Sequence, residues 1–312
     1  MPSNVIIRLK KESDTEEVAV VIRDSLNVWY GEHFGIEELV PSTVESSVYA
    51  RVYDALDPNC CVVAEDASNG RLAGVCFFHP RPTHVALGIM NVAPDYFGQK
   101  IAKRLLDYVV GVAKRRNQPL RLVSSAMNLD SFSLYNRAGF VPRVMFQDMT
   151  VKVPEEGYDV DPPEGTTIRD ATLDDLDEIV NLELSIYGID RSKDYLFFIE
   201  NHEGIWGVSV LVDDASGEIR GVMCSVNDPG VAMVGPGATH TDEQAAALIR
   251  QELNRHRGKW SPIFLIPTDS VELRMAMYAL GARNTETHVA QSLGEVAPKR
   301  GVVIPTFLPE TG

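Results

Sequence analysis

Two stretches of the chain, on either side of Val151 to Thr166, run through nearly the same order of strand-like and helix-like segments. In the first, periodicity predicts a strand at Val5 to Leu9, helices at Thr15 to Trp29 and Ser42 to Ala55, and strands at Cys61 to Glu65 and Leu72 to Phe78 across a Ser68-Asn69-Gly70 turn. A strand at Val85 to Val92 leads into a helix from Gly98 to Arg116. On that helix Ile101, Leu105, Tyr108, Val109 and Val112 share one face, and Lys103, Arg104 and Lys114 share the other. The stretch closes with a strand at Leu120 to Ser125, a short helix at Asn128 to Arg137 and two strands through Lys152.

Beyond Thr166 the order returns. Strand TTIRDA precedes helix LDDLDEIVNLELSIY, and strands WGVSVLV and IRGVMCSV pair across Asp214-Ala215-Ser216-Gly217. Strand VAMVG precedes helix DEQAAALIRQELNRH, and strand PIFLIP precedes helix SVELRMAMYALG. A period of about half the chain is a duplication at domain scale, not a solenoid. The intervening VKVPEEGYDVDPPEGT, acidic and rich in Gly and Pro without helical period, reads as a linker. The expected class is α+β: two tandem domains, 1–152 and 167–312, joined by 153–166, each a mixed, mainly antiparallel central sheet flanked by helices. With 312 residues, 45% apolar and 23% charged, two such domains can each bury a core.

Charge divides unevenly between the halves. Through Lys152 there are 17 basic and 17 acidic residues, and beyond it 12 and 27, so the second half carries all of the net charge of −15. Such a half repels a nucleic-acid backbone or an anionic membrane, which argues against either as a partner. Solubility and attraction of a cationic partner both account for the acidity. The longest uncharged apolar stretch, Val85 to Ala93, falls short of the roughly eighteen residues of a spanning helix. MPSNVIIRLKKESDTEE places acids where a signal peptide needs its apolar core, so the expected location is the cytoplasm. Cys60, Cys61, Cys76 and Cys224 show no CxxC spacing and read as reduced thiols. No metal site is expected, and the chain is expected to act as a monomer or homodimer.

VAPDYFGQKIAKRLL, Val92 to Leu106, is a strand end, a proline turn, a glycine-containing loop and a basic amphipathic helix. Such a junction offers unpaired N–H groups and the positive end of a helix dipole to an anion, although any strand-to-helix turn can look alike. About thirty residues on, NLDSFSLYNRAGF has Asn128 as an N-cap, Ser131, Leu134, Tyr135 and Ala138 at helical spacing, and Gly139 at the stop.

Together the two segments resemble the GNAT superfamily of acetyl-CoA-dependent N-acetyltransferases, over most of Val5 to Lys152 in element order. That family holds pantetheine and pyrophosphate with a V-x-P turn and an R/Q-x-x-G-x-G/A loop, and closes the site with an N-x-x-S/A-x-x-L/F-Y-x-x-x-G-F helix. The resemblance implies that backbone groups of Met90, Asn91 and Val92 meet the pantetheine amides. It gives the pyrophosphate to Gly98, Gln99, Lys100, Ile101, Ala102 and Lys103, and the cofactor arm to Asn128 with Ser131. Acetyl-CoA is thus the implied co-substrate. Phe97 and Lys100 depart from the loop pattern, Lys100 replacing a small residue, and retained binding with altered loop geometry is expected.

Acetyl transfer to an amine needs a neutral nucleophile, an oxyanion donor and a proton for the departing thiolate. The resemblance gives the proton to Tyr135, which could equally be a core tyrosine, and the oxyanion to a backbone N–H of the strand ending near Val92. Where relatives carry a glutamate base this chain has Val123 or Ala86. His84, two residues before Ala86 on the same strand face, is the candidate base, with a turn histidine as the alternative. WYGEHFG, Trp29 to Gly35, fits either an acceptor rim carrying Glu32 and His33 or ordinary core packing.

In the second half, matching VGPGATHTDEQAAALI to VAPDYFGQKIAKRLLD sets Asp242 and Glu243 opposite Lys100 and Ile101, where carboxylates repel a pyrophosphate. Ser270 replaces the cap asparagine and Met277 the tyrosine. This half reads as a degenerate copy with a structural task. The expected function is N-acetylation of a primary amine on a small molecule, in a ternary complex. A non-catalytic acyl-CoA-binding regulatory module and a protein or peptide N-acetyltransferase stay open.

Overall fold

The computed structural model describes residues 5–259 and 261–310. They form two compact units, one of residues 5–80, 84–120 and 307–310, the other of residues 81–83 and 121–306. This division falls at Leu120/Arg121, ahead of the sequence linker.

The first unit contains β1 (Val5–Leu9), α1 (Thr15–Phe34), α2 (Thr43–Leu56), β2 (Cys61–Asp66), β3 (Leu72–Pro80), β4 (Val85–Val92) and α3 (Ile101–Arg116). Its sheet runs β1-β2-β3-β4, antiparallel throughout. Ser42 starts α2 by accepting the Val44 N–H (3.1 Å), the bond expected of an N-cap serine. Val18, Ile22, Val48, Val52 and Tyr53 bury one side of α1 and α2, each apolar side chain contributing about 1.5–3 kcal/mol. Helix α3 buries Ile101, Leu105 and Val109, and it lies so close to β3 that a β-carbon on Gly74 would stand 3.0 Å from Ile101 Cγ2. Residues 307–310 belong here because Leu308 is fully buried and the Tyr53 hydroxyl donates to the Phe307 carbonyl (2.8 Å).

Residues 121–125 of β5 (Leu120–Ser125) open the second unit, followed by α4 (Leu129–Arg137), β6 (Val141–Thr150), β7 (Thr166–Asp170), α5 (Leu176–Tyr187) and α6 (Ser192–Glu200). Then come β8 (Trp206–Asp213), β9 (Ile219–Asp228), β10 (Val231–Thr239), α7 (Asp242–Leu253), β11 (Ile263–Pro267), α8 (Val271–Ala279), β12 (Arg283–Leu293) and β13 (Val302–Ile304). The sheet order is β5-β12-β6-β11-β10-β9-β8-β7, with β13 beside β10. Arg81 ties residues 81–83 to α6 through a buried bidentate pair with Asp194 (2.5 and 2.6 Å).

The centre of this sheet exchanges strands between the repeats. β6, from the first repeat, lies between β11 and β12 of the second, pairing Phe264 with Met149 on one side and Val289 with Met145 on the other. β12 takes the place beside β5, where the Ala126 N–H reaches the Thr287 carbonyl (2.9 Å). Met149, Val151 and Val153 join Leu248, Phe264, Leu273 and Met277 in one core.

Several expectations change. One ten-residue strand, β6, replaces the two expected before Lys152, because both of its edges find partners. Helix α1 continues through WYGEHF and ends at Gly35 in the left-handed region (φ 69°), so this segment is helix instead of loop. Helix α6 and strand β12 were not expected from the sequence. The stretch after β6 has no regular element, yet Val151 and Val153 are buried and Tyr158 exchanges two hydrogen bonds with Asn254 (2.7 and 2.9 Å). It is a fastened connection.

Candidate functional site

In the first unit the antiparallel ladder sets Gly74 against Val92, Val75 against Asn91 and Cys76 against Met90. Between Met90 and Leu87 the register slips, so Gly88 and Ile89 face the single residue Phe77 in a β-bulge. A bulge leaves backbone groups out of the ladder and re-aims them, which suits a strand expected to offer N–H groups to a ligand. The Asn91 side chain turns inward and donates to Ser25 Oγ (3.2 Å), leaving the backbone at this position to do any binding.

Gly88 is required by its neighbour: a β-carbon there would lie 2.6 Å from His79 Nε2. The His79 ring is fixed by Asp57 at Nδ1 (2.8 Å) and by the edge of Tyr53 (4.6 Å between centroids), all three residues being buried. His84 is also buried, immediately before β4 and six residues ahead of Met90, roughly 20 Å along an extended strand.

After β4, Gly98 (φ 74°) and Lys100 (φ 62°) both take the left-handed conformation, and α3 starts at Ile101. Lys100 therefore takes a backbone shape that a glycine would adopt easily, at a cost of roughly 1–2 kcal/mol. No side chain caps α3 and its first turn holds no acid. Residues 97–100 are exposed. Of the expected cations, Arg104 turns to the Val5 carbonyl (2.7 Å) and Lys103 pairs with Asp107 (2.5 Å), which leaves Lys100 as the exposed charge at the helix start. Cys61 and Cys76 are buried free thiols whose pKa values burial pushes up, so neither is a reactive group.

In the second unit Asn128 caps α4, its Oδ1 accepting the Ser131 N–H (3.0 Å). Ser131 is half-buried; Tyr135 is buried with its ring 5.7 Å from that of Phe140. The equivalent helix of the second repeat, α8, gets no cap from Ser270. Asp242 caps it instead: its Oδ2 accepts the N–H groups of Glu272 (3.1 Å) and Leu273 (3.2 Å). Helix α7 begins with Thr241 as N-cap in a capping box with Gln244, so Thr241 matches Lys100 and Asp242 matches Ile101, one residue away from the sequence matching. Met277, at the place of Tyr135, is a core residue.

Sequence reasoning missed two clusters, His79 with Asp57 in the first unit, and Asp148, Glu286 and His288 in the second. The alternation in THVAQSL, residues 287–293, was the available signal for β12.

The acetyltransferase (GNAT) family pattern matches residues 24–140. Solved structures of similar fold include a protein from Pyrococcus horikoshii assigned as an acetyltransferase, 13% identical with TM-score 0.72, the match covering 98% of this chain and 96% of that one. A GCN5-related N-acetyltransferase from Sphaerobacter thermophilus is 16% identical with TM-score 0.67, over 94% and 96% of the two chains. A tandem GNAT protein from the clavulanic acid biosynthesis pathway is 13% identical with TM-score 0.60, over 93% and 98%. No curated protein sequence matches the chain. Among the described residues no helix is long and apolar enough to cross a membrane. Residues 24–140 therefore match the acetyltransferase (GNAT) family, and the chain shares its fold with solved GCN5-related N-acetyltransferases, a tandem GNAT protein among them.

Proposed function

We propose that this acyltransferase moves the acetyl group of acetyl-CoA to the primary amine of a small molecule, by direct attack in a ternary complex. The observation that carries the reading is the contrast between two helix starts. Helix α3 opens uncapped, exposed and free of acids behind Gly98 and Lys100. Helix α7 opens with a capping box and two acids, and Asp242 already fills the start of α8. N–H groups and dipole at the first start are available to a pyrophosphate, whereas the second repeat answers the same need with its own carboxylate. Residues 1–152 are then the cofactor-binding repeat, 153–166 the connection, and 167–312 a degenerate repeat.

On this reading the backbone of Met90, Asn91 and Val92 orients the pantetheine, and residues 98–103 bind the pyrophosphate. Asn128 and Ser131 meet the cofactor arm, and Tyr135 gives its phenolic proton to the departing thiolate. Each role rests on that residue's motif and local geometry. A backbone N–H of β4 supplies the oxyanion donor, the Gly88–Ile89 bulge re-aiming this strand's backbone. His84, remote from Met90 along β4, is left out of the mechanism.

Calorimetric titration with acetyl-CoA, paired with thiol release across a panel of amines, tests the reading. One site per chain and amine-dependent release are expected. Two sites would remove the degenerate-repeat reading, and binding without release under any amine would make the chain an acyl-CoA-binding module.

A further inference from the structure

The last turns of α1 gather aromatic rings at the surface of the first unit. Trp29 stacks on His33 (4.6 Å between centroids, 18° between planes) and meets Tyr30 and Phe34 edge-on at 4.8 and 5.5 Å. His33 Nδ1 donates to the Trp29 carbonyl (2.8 Å), an oxygen that can only accept, and this bond holds the imidazole against the indole. The core does not enclose the cluster: Trp29 and Tyr30 are half-buried, and His33 and Phe34 are exposed. Beyond Gly35 the chain folds back along the same turns. The Ile36 N–H reaches the Tyr30 carbonyl (3.3 Å), and Val40 exchanges two backbone hydrogen bonds with the Asn27 side chain (2.8 and 2.9 Å). The loop bearing Glu37 and Glu38 is thus tied at both ends to the turns that bear the rings, and Glu32, three residues past Trp29, shares the helix surface with it.

From Asp24 to Ala50 the sequence has five acids and no lysine or arginine, whereas the first repeat as a whole balances 17 against 17. Asp24 is paired with Arg23 (2.6 Å) and Glu45 accepts from Ser42, but Glu32, Glu37 and Glu38 are exposed. Exposed rings among carboxylates attract a cation through both the ring quadrupoles and the charge. The position matters as well. Ser25, four residues before Trp29 on the same face of α1, accepts from Asn91 Nδ2 (3.2 Å). The rings therefore begin one helical turn, about 6 Å, beyond the contact with β4, the strand assigned to the pantetheine.

We infer that the end of α1 holds a second positive charge of the acceptor, so that the substrate class is a small polycationic amine, an inference that rests on the N-acetyltransferase reading. One ammonium of such a molecule lies against Trp29, His33 and Phe34 among the carboxylates of Glu32, Glu37 and Glu38, while another amine of the same molecule extends to β4. A monoamine or a singly charged amino sugar has no second cation to place on the rings. Linear polyamines and aminoglycosides share the required chemistry, several ammonium groups a few carbons apart. Residues 29–38 select the acceptor and take no part in bond making.

The test uses the full chain at saturating acetyl-CoA. Thiol release is followed against the concentration of putrescine, spermidine, an aminoglycoside, butylamine, 4-amino-1-butanol and glucosamine, and acetyl-CoA affinity is measured by calorimetry. 4-Amino-1-butanol has the length of putrescine without its second charge. A polyamine or the aminoglycoside should exceed the singly charged amines in kcat/KM by about tenfold or more, and the better of the two tells a linear skeleton from a cyclic one. The double variant Glu37→Gln/Glu38→Gln should raise the KM of the preferred polycation about tenfold, with the KM of butylamine and the acetyl-CoA affinity unchanged. Trp29→Leu should act in the same direction; should it fail to fold, the double variant, at two exposed positions, decides alone. A structural role would change every amine alike, so a selective loss marks recognition. Equal use of putrescine and 4-amino-1-butanol, or variants that alter every amine equally, would overturn the inference and leave the N-acetyltransferase reading intact. A wild type that releases no thiol with any amine defeats both.

Discussion

Replacing Gly88 by alanine should be among the most damaging single-methyl changes in the first unit. The added carbon would lie 2.6 Å from His79 Nε2, 3.2 Å from His79 Cδ2 and 3.2 Å from Phe77 Cβ. An ordinary carbon–nitrogen contact is about 3.5 Å, so the ring must retreat by roughly 0.9 Å. It cannot do so cheaply, because Asp57 holds Nδ1 at 2.8 Å and Tyr53 abuts the ring at 4.6 Å. Overpacking of a tight core costs about 1–3 kcal/mol. Losing a buried hydrogen bond to a carboxylate adds about 1.5–3 kcal/mol, for an expected total of roughly 3–5 kcal/mol. Because Met90 lies two residues beyond Gly88, acetyl-CoA affinity should fall too. The assay is a urea-denaturation cycle with Gly88→Ala, His79→Ala and the double variant. His79→Ala is costly alone, through its cavity and the stranded Asp57, but the added methyl should then cost little, giving a coupling of about 2–3 kcal/mol between the sites. A Gly88→Ala protein within about 0.5 kcal/mol of wild type would refute the argument, as would additive losses.

Lys100→Glu should weaken acetyl-CoA binding by about tenfold or more, whereas Asp242→Lys should leave it unchanged and cost about 1 kcal/mol of stability through the lost α8 cap; calorimetry and urea denaturation read the two effects. His256 is fully buried, its ring nitrogens have no hydrogen-bond partner, and burial first, then Lys259 and Arg255, push its pKa down to about 4. Its unfolded form takes a proton near pH 6.5, so stability should fall by about 3 kcal/mol as the pH drops from 6.5 to 4, and a His256→Gln protein whose stability declines as steeply over that window would refute this. Tyr135→Phe should keep cofactor affinity and lower turnover about tenfold to a hundredfold; unchanged turnover in a rate-limiting chemical step would make Tyr135 a packing residue.

Local signals carried far in this sequence. Asn128 caps the helix expected of it, the helix expected from Ser42 starts there, and α3 buries the face its period marks, because these features depend on neighbours within a few residues. The candidate loop was legible for the same reason, and the conformation of Lys100 could be anticipated only as a question: the sequence names the residue, while its φ depends on the chain around it. What escaped was non-local. The period-two pattern of β12 gives no indication that the strand will lie beside β5 instead of β11, and the Asp148–His288 pair spans 140 positions of sequence. Likewise the Gly88 requirement comes from a histidine on the adjacent strand, held by the residue that ends α2.

The exchange also makes the first repeat depend on the second for its folding. Nine of the ten β6 residues have partners on β12, and Phe146 to Thr150 are paired on β11 as well, so the last strand of the first repeat has both edges filled by the second. A chain ending at Lys152 would keep Phe146 and Met149 but lose the ladders and the core that bury them, exposing an apolar strand with two open edges. It would also lose β12 beside β5, and with it the Glu286 contact to Ser125 at the start of α4. The 1–152 fragment should therefore aggregate or stay partly unfolded, and acetyl-CoA should not rescue it, since a ligand stabilises only the fraction of chains already folded. A soluble, cooperatively unfolding fragment with full acetyl-CoA affinity would show that the second repeat is dispensable to the first. The structure predicts the opposite: the repeats share one continuous ladder at β12-β6-β11, and loss of the second removes support from β6 and from the start of α4.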